Sequence, residues 1–504
     1  MEISEKDLLN KNIIIRNKSV IWHIIVFLSI IAFIFIYYPN NSWEVLMGDD
    51  LIAVSNYVEE GLWGVLFNPI NAQMGKVRPV STILLYLSYL LCGLDFSKYY
   101  LLNRMMLAGG AFLVAHISYR LGVNKIGAFL ISILLISTPF SSYAVWQMIG
   151  VCETLSLVLC IVFLFLIIKI SEGSERQNIR KNVMLCFVVF TVIIFNAERF
   201  MYLIALFVFV MAINKALALK EKVMYTIIMS IPIIVRTIFI NLSGGTSLNT
   251  GRGGVDSLIG DLTAYAIRGV VNMYGFSIGD QWHGGFDFFS LPTYILIIAS
   301  CFLFISIGIF FGALSNYIKE RNKSALTILI IYLMSYSSLF SYALVGETHG
   351  EDRFLWISYV CVCLGMLLYF SKTIQNKKCL YSMLALNFFF VLMNGYYVKN
   401  KVHVHYRYSQ EMAQTCFENV STLVEEKPVE NIYCIKPSDY NWVFCGDIFF
   451  RYYIDKNVNV YYYNTWDEVD INSLTENTII VYPDDNHPIP YGTDACWIED
   501  FQTN

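Results

Sequence analysis

Residues 20–50 read VIWHIIVFLSIIAFIFIYYPNNSWEVLMGDD. The apolar run from Val20 to Tyr38 is long enough to cross a bilayer as a helix, which needs roughly 20 residues. Pro39-Asn40-Asn41 ends it, and Met47-Gly48-Asp49-Asp50 follows almost at once. Two adjacent carboxylates beside a membrane-spanning helix are costly unless they face water or a cavity. Their placement predicts the acid/base end of a site on the outer face of a membrane.

The rest of the chain extends the same pattern. Of its 504 residues 56% are hydrophobic, the mean hydropathy is +0.54, and long apolar runs recur as far as residue 397. A polytopic, all-α membrane protein is the class this implies. The net charge of −4 gives no basic surface for nucleic acid. Residues 1–19 are polar and mixed in charge, and no small-residue cleavage site follows the first apolar run. The first helix is therefore expected to be retained, with 1–19 in the cytoplasm.

Eleven spans are expected, at 20–38, 99–119, 125–140, 143–168, 183–197, 200–214, 223–241, 291–315, 324–345, 354–371 and 379–397. With the N-terminus inside, every inner connection is basic, including Arg120/Lys125, Lys169/Arg176, Lys215/Lys222, Lys319/Arg321 and Lys372/Lys378. That is the positive-inside pattern. The outer connections hold the acids instead: Asp49, Asp50, Glu153, Glu198, Glu347, Glu351 and Asp352. Keeping the pattern requires two choices. Pro79 to Leu94 lies at the outer surface or dips partly in, and 183–214 is two short spans joined by an outer turn at Asn196–Arg199.

The module 20–397 thus has a first outer loop at 39–98 and a second, glycine-rich one at 243–290. The second suits either a lid or a plain connector. Residues 398–504 are polar, with strand-like runs at Asn431–Ile435, Val458–Tyr463 and Thr478–Tyr482 and a helix near Gln410–Glu425. They predict a small α/β domain on the outer side. Of twelve cysteines most lie in apolar runs and read as small hydrophobes. Cys416, Cys434, Cys445 and Cys496 lie in this tail, where an outer location leaves one or two disulfides open.

Several short motifs follow one another in order. They are Asp49-Asp50, Arg78-Pro79, Gly93-Leu94 with Tyr99 and Asn103-Arg104, Thr138-Pro139, Trp146, Glu153, Glu198, and Glu351-Asp352-Arg353-Phe354. In that order and on one side of the membrane they resemble the GT-C superfamily of membrane glycosyltransferases, well over 20–200 and loosely over 200–397. The bacterial surface-glycan transferases are the nearest in style. The resemblance implies a polyprenyl-phosphate-sugar donor and a glycan, lipid or protein acceptor, alongside membrane lipids, with the active site and C-terminus extracytoplasmic in a bacterial plasma membrane.

Inverting transfer needs a carboxylate near the attacking hydroxyl and cations around the phosphate leaving group. Asp49 is the expected base, with Asp50 as runner-up or orienting neighbour; a solvated pair or helix N-cap is the plain alternative. Arg78, Arg104, Arg199 and Arg353 are the expected phosphate ligands, because the guanidinium fork binds phosphate oxygens bidentately. Arg104, inside a span, is equally explained by an ion pair with Glu153 or Glu198. Arg236 within its apolar run is as well explained by a structural ion pair. Glu153, Glu198, His283, His349 and Glu351 are expected at the substrate. His349 with Glu347 and Glu351 has spacing a divalent metal could use, though hydrated surface is the commoner reading and no metal is assigned. His23 and His116 read as structural. There is no P-loop, so ATP drive is not expected. A lipid-linked glycan polymerase or ligase and a transporter or flippase are the alternatives. The outer loop 243–290 has only Arg252 and Arg268 for the first, and no internal repeat supports the second.

Overall fold

The computed structural model describes residues 5–70, 76–244, 293–344, 352–374, 381, 385, 405–426, 428–435, 437–470, 474–483 and 496–500. The expected span 379–397 and the outer loop 243–290 lie outside or almost outside these residues.

Helix α1 (Glu5–Tyr37) ends where Pro39 removes an amide donor. Then come α2 (Gly48–Leu66) and α3 (Pro79–Cys92), both between α1 and the next long helix. At 14 residues α3 is too short to span alone. It rests on α2 and on three later helices, Phe96–Leu121, Gly150–Glu172 and Arg176–Asn196. Helix α4 (Phe96–Leu121) starts at Asp95, whose carboxylate accepts from the Ser97 amide, and α5 (Lys125–Ser137) starts at Asn124, capped on the Gly127 amide.

The expected span 143–168 is divided. A short helix α6 (Ser142–Trp146) is followed by an extended Gln147, and the long helix α7 begins only at Gly150 and runs to Glu172. The apolar pattern hides this break. It occurs because the chain turns back on itself: a Cβ at Gly150 would lie 2.5 Å from the Ala144 carbonyl oxygen. Helix α8 (Arg176–Asn196) is longer than the expected 183–197 and stops at Ala197. A 3₁₀ turn at Glu198–Tyr202 and the 11-residue α9 (Leu203–Ile213) follow, so the chain reverses at the acidic turn. Then come α10 (Leu219–Leu242), α11 (Thr293–Glu320), α12 (Lys323–Leu344) and α13 (Trp356–Tyr369).

Among the described residues six helices are long and apolar enough to cross a membrane: Val20–Tyr37 within α1, α4, α7, α8, α10, and Ser300–Glu320 within α11. The protein is an integral membrane protein, mostly helical. Helices α4, α5, α7 and α13 form the packed centre, and Ala111, Ile136, Leu164 and Tyr359 there are wholly buried.

Residues 405–500 carry the small mixed unit: α14 (His405–Glu426), β1 (Asn431–Ile435), α15 (Pro437–Phe444), α16 (Ile448–Tyr453), β2 (Asn459–Tyr463), β3 (Thr478–Pro483) and β4 (Cys496–Asp500). The sheet order is β2-β1-β3-β4, with β1 parallel to both neighbours and β4 antiparallel to β3. As a central strand, β1 is buried on both faces. One face, with Ile432, Cys434, Ile479 and Val481, joins Phe444, Phe449 and Phe450; the other closes a small cluster with Val469 and Leu474. No disulfide joins Cys416, Cys434 and Cys445 to one another.

Candidate active site

Met47 is extended, Gly48 has φ +55°, and α2 starts there. This turn sends the two carboxylates in different directions. Asp50 is 1% exposed and accepts from the amides of Met148 (2.6 Å) and Ile149 (3.2 Å). Those amides immediately precede α7, so Asp50 closes that helix's N-terminus, where donors are otherwise unmet and negative charge is favoured. Burial pushes its carboxyl up to about 8; the two amides act the other way and Asp49 adds to the rise.

Asp49 is exposed and accepts from the indole Nε1 of Trp442 at 3.4 Å. Trp442 comes from α15, in the C-terminal unit. Its ring lies so close over Gly48 that a Cβ there would be 2.8 Å from Cζ2. Only glycine meets both this approach and the positive φ. The same unit grips the preceding residues almost one by one. Cys445 Sγ donates to the Gly48 carbonyl at 3.0 Å. The Tyr453 hydroxyl accepts from the Leu46 amide (2.8 Å) and donates to the Leu94 carbonyl (2.9 Å). Gln414 Oε1 accepts from the amides of Glu44 (2.8 Å) and Val45 (3.3 Å), and Gln410 donates to the Val45 carbonyl. Burial pushes the Cys445 thiol up to about 12, with Asp49 adding to it, which favours the protonated thiol that donates to Gly48.

The second part of the site is a cluster of arginines. Arg78, at the start of α3, donates through Nε to Glu198 Oε2 at 2.6 Å and through Nη2 to Oε1, a bidentate pair. Burial favours the neutral acid of Glu198, but Arg78 outweighs it and holds the carboxyl at about 2. Burial likewise opposes the charge on Arg78, and Glu198 overcomes it, so the guanidinium pKa is raised. Arg199 donates to Glu153. Arg353 Nη1 lies 3.9 Å from the same carboxylate, with its guanidinium 3.8 Å above the Tyr143 ring. Arg236 on α10 acts electrostatically on both Glu198 and Arg78. Glu153 is in the first turn of α7, directly after the amides that Asp50 holds, so one helix end carries both halves of the site.

Of the expected residues, the structure thus gathers Arg78, Glu153, Glu198, Arg199 and Arg353, with Asp49 and Asp50 at the same end. Arg104 is a correction. It does not pair with Glu153 or Glu198: it donates to the Tyr38 carbonyl at 3.0 Å and lies between the rings of Phe35 (4.3 Å) and Tyr100 (4.5 Å). It caps the C-terminal end of α1, where carbonyls are unmet and a cation is favoured. His283, His349 and Glu351 lie outside the described residues, as does Glu347. Among the described residues no three His, Cys, Asp or Glu side chains gather as metal ligands. Trp442, Gln414 and Tyr453 were not foreseen. They lie far along the chain, and no local pattern ties them to Asp49.

No family model matches the chain, and no curated protein matches it. Among solved structures it is similar to the Archaeoglobus fulgidus oligosaccharyltransferase tethered with an acceptor peptide containing the NVT sequon, at 10% identity and TM-score 0.45. That match covers 84% of this chain and 62% of the other, so the chain spans less than two thirds of the archaeal protein's length. It is also similar to ArnT from Cupriavidus metallidurans bound to undecaprenyl phosphate, at 10% identity and TM-score 0.44, over 92% of this chain and 93% of that one. At this level of similarity the function has to be read from the site itself.

Proposed function

We propose that the chain is an inverting glycosyltransferase that moves a sugar from a polyprenyl-phosphate donor to a glycan, lipid or protein acceptor on the outer face of the membrane. The observation that carries this is the division of the site at one end of the spans. Asp50 bonds the amides just before α7 and leaves its neighbour Asp49 exposed and held by Trp442, while Glu153 in the first turn of the same helix pairs with Arg199 and lies near Arg353.

In this reading Asp49 takes the proton of the acceptor hydroxyl as its oxygen bonds to the anomeric carbon. The bond from that carbon to the phosphate oxygen breaks on the opposite side, and the electron pair stays with the lipid phosphate. The arginines stabilise the charge gathering there, while Glu153 and Glu198 hold the guanidinium forks in place. Asp50 keeps the base in register with α7. The basic connections at the opposite end of the spans support an outward-facing site.

The test is transfer by the purified protein in lipid, from a panel of polyprenyl-phosphate sugars, with and without a crude surface-glycan acceptor. Wild type is expected to transfer from at least one donor. Asp49→Asn is expected to lose transfer while still binding that donor. Full activity in Asp49→Asn overturns the base assignment. No transfer by wild type from any donor overturns the reading and turns attention to a polymerase, ligase or transporter.

A further inference from the structure

At the other end of the spans, two imidazoles meet inside the membrane-crossing helices. His23 Nε2 on α1 and His116 Nδ1 on α4 are 2.9 Å apart, so one donates and the other accepts. His23 is 14 residues from Tyr37, about 21 Å along the helix from the Asp49 end. Two paired imidazoles within spanning helices are uncommon, and the usual justification for ionisable groups there is a ligand or a pathway. The active site is too far away to use them.

The pair opens on a groove of about 420 Å³ between α1 and α4, whose other walls are Val20, Ile24, Phe112 and Leu113. Val20 and Ile24 are each 52% exposed, so the groove faces the surrounding lipid. Its mouth is basic and aromatic. Arg120 lies one turn beyond His116, and the charged neighbours acting on His116 are His23 and Arg120. Lys125 Nζ is 5.8 Å over the Trp22 ring, and Trp22 packs edge-on against His23 at 4.7 Å and against Tyr119 at 5.0 Å. Trp and Tyr beside basic residues mark the water boundary of a bilayer.

We infer that this groove is a binding site for an anionic glycerophospholipid of the leaflet opposite the active site. The phosphate diester sits against His23 and His116 within reach of Arg120, and one acyl chain lies over Ile24, Phe112 and Leu113 toward the bilayer interior. Charge complementarity selects the headgroup, since basic pockets between spanning helices suit anionic lipids. The apolar walls select a lipid over a free phosphate ion. The inference does not depend on the proposed transferase activity.

The experiment is native mass spectrometry of the full chain released from detergent with dioleoyl phosphatidylglycerol or dioleoyl phosphatidylcholine. The same proteins are also assayed for thermal stabilisation by each lipid and by inorganic phosphate. Wild type is expected to retain phosphatidylglycerol over phosphatidylcholine by about fivefold or more. The double variant His23→Ala/His116→Ala is expected to lose that preference, and Arg120→Gln to reduce it. Leu113→Trp, which narrows the groove and keeps both imidazoles in the chain, is expected to weaken retention of phosphatidylglycerol. Equal retention of the two lipids by wild type overturns the inference. So does a preference that survives the double variant, or stabilisation by inorganic phosphate equal to that by phosphatidylglycerol. If the double variant does not fold, wild type and Leu113→Trp decide: unchanged phosphatidylglycerol retention in Leu113→Trp overturns it.

Discussion

Asp49 and Asp50 are neighbours in the chain but are fixed by different parts of the molecule. Asp50 is bonded to the amides of Met148 and Ile149 in the membrane module, and Asp49 to the indole of Trp442 in the C-terminal unit. The acidic pair is therefore the joint between the two. One carboxylate is spent on joining and is out of water; the other keeps its access. Because a general base must reach its proton, burial alone argues for Asp49 as the acting group.

Replacing Asp49 tests that division. Asp49→Asn should lower kcat/KM for transfer by about 10²–10⁴-fold, the usual contribution of a general base, with little change in thermal stability. Loss of stability comparable to that of Asp50→Asn would place Asp49 in the joint instead.

Asp50 makes a prediction in pH. Its ordinary value is 3.8 and burial raises it to about 8, so the folded protein holds that proton more tightly than the unfolded chain. Its contribution to stability is therefore present below about pH 4 and is lost as pH rises through about 8. Asp50→Asn has nothing to titrate. The difference in thermal midpoint between variant and wild type should move in the variant's favour from roughly pH 5 to roughly pH 9. A flat difference would show that the two amides keep Asp50 ionised throughout.

Gly48→Ala should undock the C-terminal unit. The backbone there has φ +55°, and the new methyl would meet Trp442. Left-handed strain at a non-glycine residue costs about 1–3 kcal/mol, and the collision adds to it. Trp442→Ala in the same chain should relieve the collision but not the strain, giving partial recovery of the thermal midpoint. Faster release of the C-terminal unit by limited proteolysis would report the undocking.

Arg78 and Glu198 should be coupled. A double-mutant cycle of Arg78→Gln and Glu198→Gln on donor KM should show an interaction of about 1–2 kcal/mol, because the bidentate pair sets how the guanidinium is presented. Additive effects would mean that the pair does not organise the donor.

Arg104→Met should behave differently from the clustered arginines. It removes the partner of the Tyr38 carbonyl and a guanidinium stacked between two rings, at about 2 kcal/mol of stability. Donor KM should be unchanged. A raised donor KM with unchanged stability would return Arg104 to the phosphate site.

Much of this architecture is readable from local pattern. The first span, the surface helix after Arg78 and the strand Asn431–Ile435 follow from apolar length, an N1 proline and alternation. The arginines that gather at Glu153 and Glu198 were singled out because they sit at helix ends on the acidic side. What could not be read is long-range pairing with backbone. The break before Gly150 is held by a carboxylate 98 residues upstream, and Gln147 is the single polar side chain at it, too little to end an apolar run on pattern alone. Arg104 plainly needs a partner, yet that partner is a carbonyl, which every residue has and no letter of the sequence marks. Trp442 finds Asp49 across 393 positions.

That separation also has a temporal meaning. The segment 44–49 leaves the ribosome long before Gln414 and Trp442 exist, and at 5–20 residues per second the 393-residue interval lasts about 20–80 s. During that time the helices can insert and pack, but the carboxylate at Asp49 has no indole to hold it. In the proposed reading the site is therefore the last part of the molecule to be completed, when the late-made C-terminal unit supplies that indole.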